Sequence, residues 1–112
     1  MPTAQFEIFT GLHDHFYFRL RQPDGDVLLR SEGYASKRAV ELGIESVRQN
    51  APNPARYDVR QATNGAFYFV ILAANGHVVA HASDLYETEE ACGEAMQAVQ
   101  SAVPGASLLD QT

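Results

Sequence analysis

The sequence predicts an α+β fold built from tandem duplicated β-β-β-α-β units. Three observations predict it. The stretch SEGYASKRAVELGIESVRQNAP, Ser31 to Pro52, returns as SDLYETEEACGEAMQAVQSAVP, Ser83 to Pro104. The triplet Phe16-Tyr17-Phe18 returns as Phe67-Tyr68-Phe69. Within each copy, apolar residues first alternate with polar ones and then fall three and four apart, so strands precede a helix. The offset between copies grows by one residue between Phe16/Phe67 and Ser31/Ser83, which places one extra residue near the end of the third strand of the second copy. Residues 1–112 read as a single domain of two repeats, about 5–55 and 56–110, with no linker beyond Ala51 to Ala55.

Residues 1–4 are expected to fray. Gln5 to Thr10 alternates Phe6 and Ile8 against Glu7 and Phe9, as a short strand does. Gly11 to Asp14 turns the chain. Phe16 to Arg21 is the clearest strand, with Phe16, Phe18 and Leu20 on one side and Tyr17, Arg19 and Arg21 on the other. Pro23-Asp24-Gly25 is a hairpin turn, because proline presets φ and glycine accepts a positive one. Val27 to Ser31 returns. Ser36 is a suitable N-cap for a helix whose stripe is Ala39, Val40, Gly43, Ile44 and Val47, and Pro52 stops it.

The second copy follows the same logic. Its strands are Arg56 to Arg60, Phe67 to Leu72 and Val78 to Ala82. Asn64-Gly65 and Asn75-Gly76 are its turns, the second read as type I′. Thr88 caps a helix with the stripe Ala91, Cys92, Ala95, Met96 and Val99, and Glu89 and Glu90 suit the positive end of its dipole. Ala106 to Asp110 is the last strand. Gly43 and Ala95 occupy the same place in the two helices, which implies a close approach of helix backbone to its neighbour there. Glycine in mid-helix otherwise costs about 1 kcal/mol relative to alanine.

A chain of 112 residues with 46% hydrophobic and 20% charged residues can bury a core without metals or cross-links. The single cysteine, Cys92, excludes an intramolecular disulfide and sits on an apolar stripe, where a buried thiol is expected. A net charge of -6 argues against general binding to nucleic acid, which needs clustered Lys and Arg. No apolar run reaches membrane-spanning length, and the N-terminus lacks the basic and apolar regions of a secretory signal. A cytoplasmic protein is expected.

The stretches FEIF (Phe6 to Phe9), FYFRL (Phe16 to Leu20), SEGYASK (Ser31 to Lys37), GIESV (Gly43 to Val47) and NAP (Asn50 to Pro52) resemble the YegP-like family of small bacterial proteins of unknown function. The resemblance spans essentially the whole chain. It is stronger in the first copy than in the second, where SDLYETE and AMQAV stand in the corresponding places. It implies that the tandem units form one antiparallel sheet with the two helices on one face, and that the last strand of each unit is exchanged to pair with the other. It brings no activity, cofactor or catalytic residue.

Function is less legible. The alternation puts Phe9, Tyr17, Arg19, Arg21, Tyr68, Val70 and Leu72 on the sheet face without helices. Exposed apolar patches mark partners, so Tyr17, Arg19, Tyr68, Val70 and Leu72 are the candidate interaction face, for a homodimer or an unknown protein partner. Tyr34 and Lys37, before and at the start of the first helix, are the candidate anion site, because helix N-termini attract anions. His13, His15, His77 and His81 are weak candidates for a metal, the last pair four apart on one strand. No nucleophile-base-orienter set and no Gly-rich phosphate loop occur, so no enzyme, catalytic residue or cofactor is expected.

Overall fold

The computed structural model of the chain describes residues 3–112. The strands are β1 (Gln5–Thr10), β2 (Phe16–Arg21), β3 (Val27–Arg30), β4 (Tyr57–Gln61), β5 (Phe67–Leu72), β6 (Val78–Ala82) and β7 (Ser107–Asp110). The helices are α1 (Lys37–Asn50) and α2 (Glu89–Ala102). All seven strands form one sheet in the order β4-β5-β6-β3-β2-β1-β7.

The exchange implied above is present. β4 leaves the first unit and pairs with β5 of the second, and β7 leaves the second and pairs with β1 of the first. One expectation fails: β7 runs parallel to β1, with Phe6 opposite Leu108 and Glu7 opposite Leu109. The reason lies in the duplication. The place that β4 takes beside β5 is already filled beside β2 by β1. β7 therefore docks one strand further out in the direction β4 prescribes, antiparallel to β2 and so parallel to β1.

The two halves meet at β3 and β6, through Leu29 opposite Ala82 and Arg30 opposite His81. Each half carries an irregularity at the same step, after Leu20 and after Ile71. Leu28 and Val79 are the extra residues, and both turn toward apolar surroundings.

Each helix starts where its cap residue stands. Ser36 Oγ accepts from the Ala39 N–H at 3.1 Å, and Thr88 Oγ1 accepts from the Ala91 N–H at 3.0 Å. α1 buries Val40, Gly43, Ile44 and Val47, and α2 buries Cys92 and Val99. Beneath them lie Phe6, Ile8, Phe18, Leu20, Leu29, Phe69 and Ile71, in one continuous core. Each such side chain contributes about 1.5–3 kcal/mol when fully buried.

Tyr34 and Tyr86 tie each helix start to the sheet. Tyr34 exchanges two backbone hydrogen bonds with Phe16, of 2.8 and 2.7 Å, and Tyr86 does the same with Phe67. The Tyr34 ring stacks on Phe18, and its hydroxyl lies against Gly43. A Cβ at Gly43 would come 2.7 Å from Tyr34 Cζ and 3.3 Å from Phe18 Cε2, so only glycine fits.

Three local expectations need correction. Ala4 is not frayed: it is buried, and its carbonyl accepts from the Ser107 N–H at 3.0 Å, so β7 pins it. The last strand begins at Ser107, because Ala106 closes the turn after α2. Asn75-Gly76 is not a type I′ turn, since only Gly76 has positive φ. The Gly76 N–H bonds the Ala73 carbonyl and the His77 N–H bonds Asn75 Oδ1, a longer loop ending in a glycine bulge. The consecutive positive φ values occur instead at His13 and Asp14, in the β1–β2 hairpin.

Candidate interaction face

The face opposite the helices is ordered across its full width. Successive register pairs align Asp58, Val70, His81, Arg30, Arg19, Glu7 and Leu109 in one row across all seven strands. Arg19, Arg21, Arg30 and Arg60 lie on this face against Glu7 and Asp58. On the helix-free side of this chain, whose net charge is -6, the strands thus carry four arginines against two carboxylates.

Glu7 lies next to the β7 end of that row. It is buried, and its Oε1 accepts from Arg19 Nε at 2.6 Å and from Arg21 Nε at 3.0 Å. Burial alone would raise its pKa. The two guanidinium hydrogen bonds and charges outweigh burial and hold the carboxyl below its ordinary value. Arg19 also lies over the Phe9 ring, 4.6 Å from its centroid, and Phe9 stacks on Tyr17 at 5.7 Å. Arg60 bonds Asp58 at 3.1 Å. Arg30 is exposed and takes part in no ion pair among the described residues.

A cleft of about 360 Å³ opens here, lined by Phe9, Gly11, Leu12, Tyr17, Phe18, Arg30, Ser31 and His81. Two glycines make room for its tyrosine. A Cβ at Gly11 would come 2.6 Å from Tyr17 Cε1, and one at Gly33 would come 3.1 Å from the Tyr17 hydroxyl oxygen. The second copy has Ala62 and Leu85 at those places. This pairing of Gly11 and Gly33 with Tyr17 escapes a reading of the sequence by alternation. The signal for it is the loss of both glycines in the second copy.

Of the five residues expected on this face, Tyr17, Arg19, Tyr68 and Leu72 are half-buried. Val70 departs from expectation. It is 4% exposed, because it lies mid-strand between the longer side chains of Asp58 and His81. The strip Tyr68-Val70-Leu72 is therefore not a continuous exposed apolar surface.

Tyr34 and Lys37 are each engaged within the fold. Tyr34 packs on Phe18 and Gly43, and burial, followed by the nearby Glu32 charge, raises its pKa. The hollow beside it, of about 130 Å³, has Glu32 on its rim, the wrong charge for an anion. Lys37 Nζ forms an ion pair with Asp110 Oδ2 on β7.

His13 and His15 have ring centroids 6.4 Å apart in the first hairpin. His77 lies in a turn before β6, and the bulge at Val79 breaks the alternation that would align it with His81. No group of three or more metal-ligating side chains forms among the described residues. Cys92 is buried, and burial and then Glu89 raise its pKa. No described helix is long and apolar enough to cross a membrane.

The family model described as a domain of unknown function (DUF1508) matches the chain twice, over residues 13–58 and 62–110. The chain belongs to the DUF1508 family. The first match runs from the β1–β2 hairpin to the start of β4 and the second from β5 to β7, which makes β4 and β7 the corresponding closing strands. A UPF0339 protein of Pseudomonas aeruginosa is 37% identical over 109 residues, 97% of this chain and 98% of that one. The UPF0339 protein YegP of Escherichia coli K12 is 36% identical over 107 residues, 96% of each chain. The solution NMR structure of yegP from E. coli superposes with a TM-score of 0.90 at 33% identity, covering 100% of this chain and 96% of that one. A UPF0339 protein from Shewanella oneidensis superposes at 0.86 with 31% identity, covering 97% and 92%. The DUF1508 fold is thus two tandem units in one sheet, and the names of these relatives assign no activity.

Proposed function

We propose that this DUF1508 chain is a non-enzymatic interaction module that works through the helix-free face of its sheet. The observation that carries the reading is the sign of that face. Four arginines against two carboxylates sit on a chain of net charge -6, and Arg30 is left without an ionic partner among the described residues. Such a surface speeds encounter with, and selects, a partner whose contact surface is acidic. The reading as a non-enzymatic module is supported by the engagement of both carboxylates of the face, Glu7 by Arg19 and Arg21 and Asp58 by Arg60.

Self-association is the second form of this reading, supported by the aromatic side chains Phe9, Tyr17 and Tyr68 on the face. Stacking two copies face to face sets like charge against like. That weighs toward a different, acidic partner.

The test is substitution at half-buried or exposed positions. Tyr68→Glu and Arg30→Glu are expected to abolish partner retention while leaving the melting temperature within a few degrees of wild type. Retention by both variants contradicts the reading. Light scattering on the purified chain separates the two forms: a mass twice 12.3 kDa marks self-association.

A further inference from the structure

We infer that the cleft beside Tyr17 is a binding site for a small carboxylic acid with an aromatic or other flat apolar body. This rests on the helix-free face being the working surface, and it assigns one part of that face a ligand. The volume, about 360 Å³, falls within the span of small-molecule pockets, about 300–1,000 Å³. The lining supplies both halves of such a ligand's chemistry. Phe9, Tyr17 and Leu12 are apolar walls, and Arg30 and His81 are the nitrogen-bearing groups.

The walls are built rather than incidental. Tyr17 is wedged where Gly11 and Gly33 leave out a Cβ, and it stacks on Phe9, whose other neighbour is the Arg19 guanidinium. A tyrosine so held loses little freedom on binding. Leu12, 76% exposed, stands at the mouth on the hairpin where His13 and Asp14 both take positive φ. That conformation is uncommon for side chains other than glycine. A leucine this exposed gains most by covering an apolar ligand.

The polar groups select an acid. Arg30 pairs with no carboxylate among the described residues, and the guanidinium fork matches a carboxylate in two hydrogen bonds. His81 Nδ1 lies 3.1 Å from the Ala82 carbonyl, a contact that orients the ring as a wall of the cleft, so the choice of an acid rests on Arg30. The second copy has Ala62 and Leu85 in place of the two glycines, so it does not repeat this wedge.

The experiment is a titration of the full chain with phenylacetate, followed by amide NMR shifts. Shifts at Gly11, Tyr17 and His81, with none at Thr63 to Tyr68, are expected. Phenylacetamide, alike in shape but neutral, is expected to bind about tenfold or more weakly, and Arg30→Gln to lose about the same factor for the acid. Gly33→Ala, which crowds Tyr17, is expected to weaken both probes together. No shift with phenylacetate, equal binding of acid and amide, or an Arg30→Gln variant that binds the acid undiminished overturns the assignment. Tyr68 and Leu72 lie outside the cleft. Partner binding lost in Tyr68→Glu but kept in Arg30→Gln, with no phenylacetate shift, overturns the cleft and leaves the interaction module standing.

Discussion

Arg30 and His81 stand directly opposite each other on β3 and β6, the strand pair that joins the two halves of the sheet. Leu29 and Ala82 face each other beside them on the helix side, inside the shared core. The two repeats thus have one core and one sheet. A single cooperative unfolding transition is expected, with fluorescence and circular dichroism midpoints coinciding. Leu29→Ala should lower the midpoint of the whole transition, at a cost of about 2–5 kcal/mol. Two separate transitions would mean that the repeats unfold independently.

Gly43 offers a test of fit. Alanine in mid-helix normally gains about 1 kcal/mol over glycine. Here Tyr34 cannot withdraw, being stacked on Phe18 and bonded through its backbone to Phe16. Gly43→Ala is therefore expected to destabilise by about 1–3 kcal/mol in urea unfolding. Adding Tyr34→Phe, which removes the crowded hydroxyl, should restore part of the loss. A stabilised Gly43→Ala variant contradicts the packing described.

Glu7 predicts an acid limb. Its pKa in the folded protein is depressed, so the stability it supplies is fully present above the ordinary carboxyl range near 4.5 and is lost as pH falls through the lower folded value. Glu7→Gln is expected to flatten stability against pH between about 5 and 3. It should also cost about 1–3 kcal/mol at neutral pH, because Arg19 and Arg21 lose a shared acceptor. An unchanged acid limb in the variant would assign that limb to other groups.

Asp110 makes the same kind of prediction at the sheet edge. Hydrogen bonds from Lys37 and then Thr112 lower its pKa to about 2. The Lys37 contact that ties β7 to α1 should therefore persist down to that range and be lost below it. Amide exchange at Ser107 and Gln111, whose N–H groups donate to the Ala4 and Ile8 carbonyls, should quicken in Lys37→Met at neutral pH, with β5 amides unaffected. Equal protection in both proteins would show that β7 is held by its backbone pairing alone.

Val70 separates burial from exposure. Val70→Glu places a carboxylate at a position 4% exposed and should unfold or strongly destabilise the chain. Tyr68→Glu, two residues earlier and half-buried, should not. The comparison by thermal melting checks that this part of the face is closed at its centre.

Much of the fold was legible because it rests on local signals. The alternation of Phe16 to Arg21, the caps at Ser36 and Thr88, and the stripe from Val40 to Val47 each follow from spacing that the structure repeats. The parallel docking of β7 was not legible, since Ser107 to Asp110 carries no signal for the neighbour it will meet. The burial of Val70 was hidden because alternation assigns a face and says nothing of what stands beside a residue on it. The cleft was hidden because Gly11, Tyr17 and Gly33 are brought together only by the pairing of three segments.

The most direct measurement is a native mass spectrum of the protein isolated gently from its own cells, beside that of the Tyr68→Glu variant. The account predicts added protein mass on the 12.3 kDa wild-type chain and a bare chain for the variant. A bare wild-type chain, or the same added mass on both, would contradict the helix-free face as the working surface.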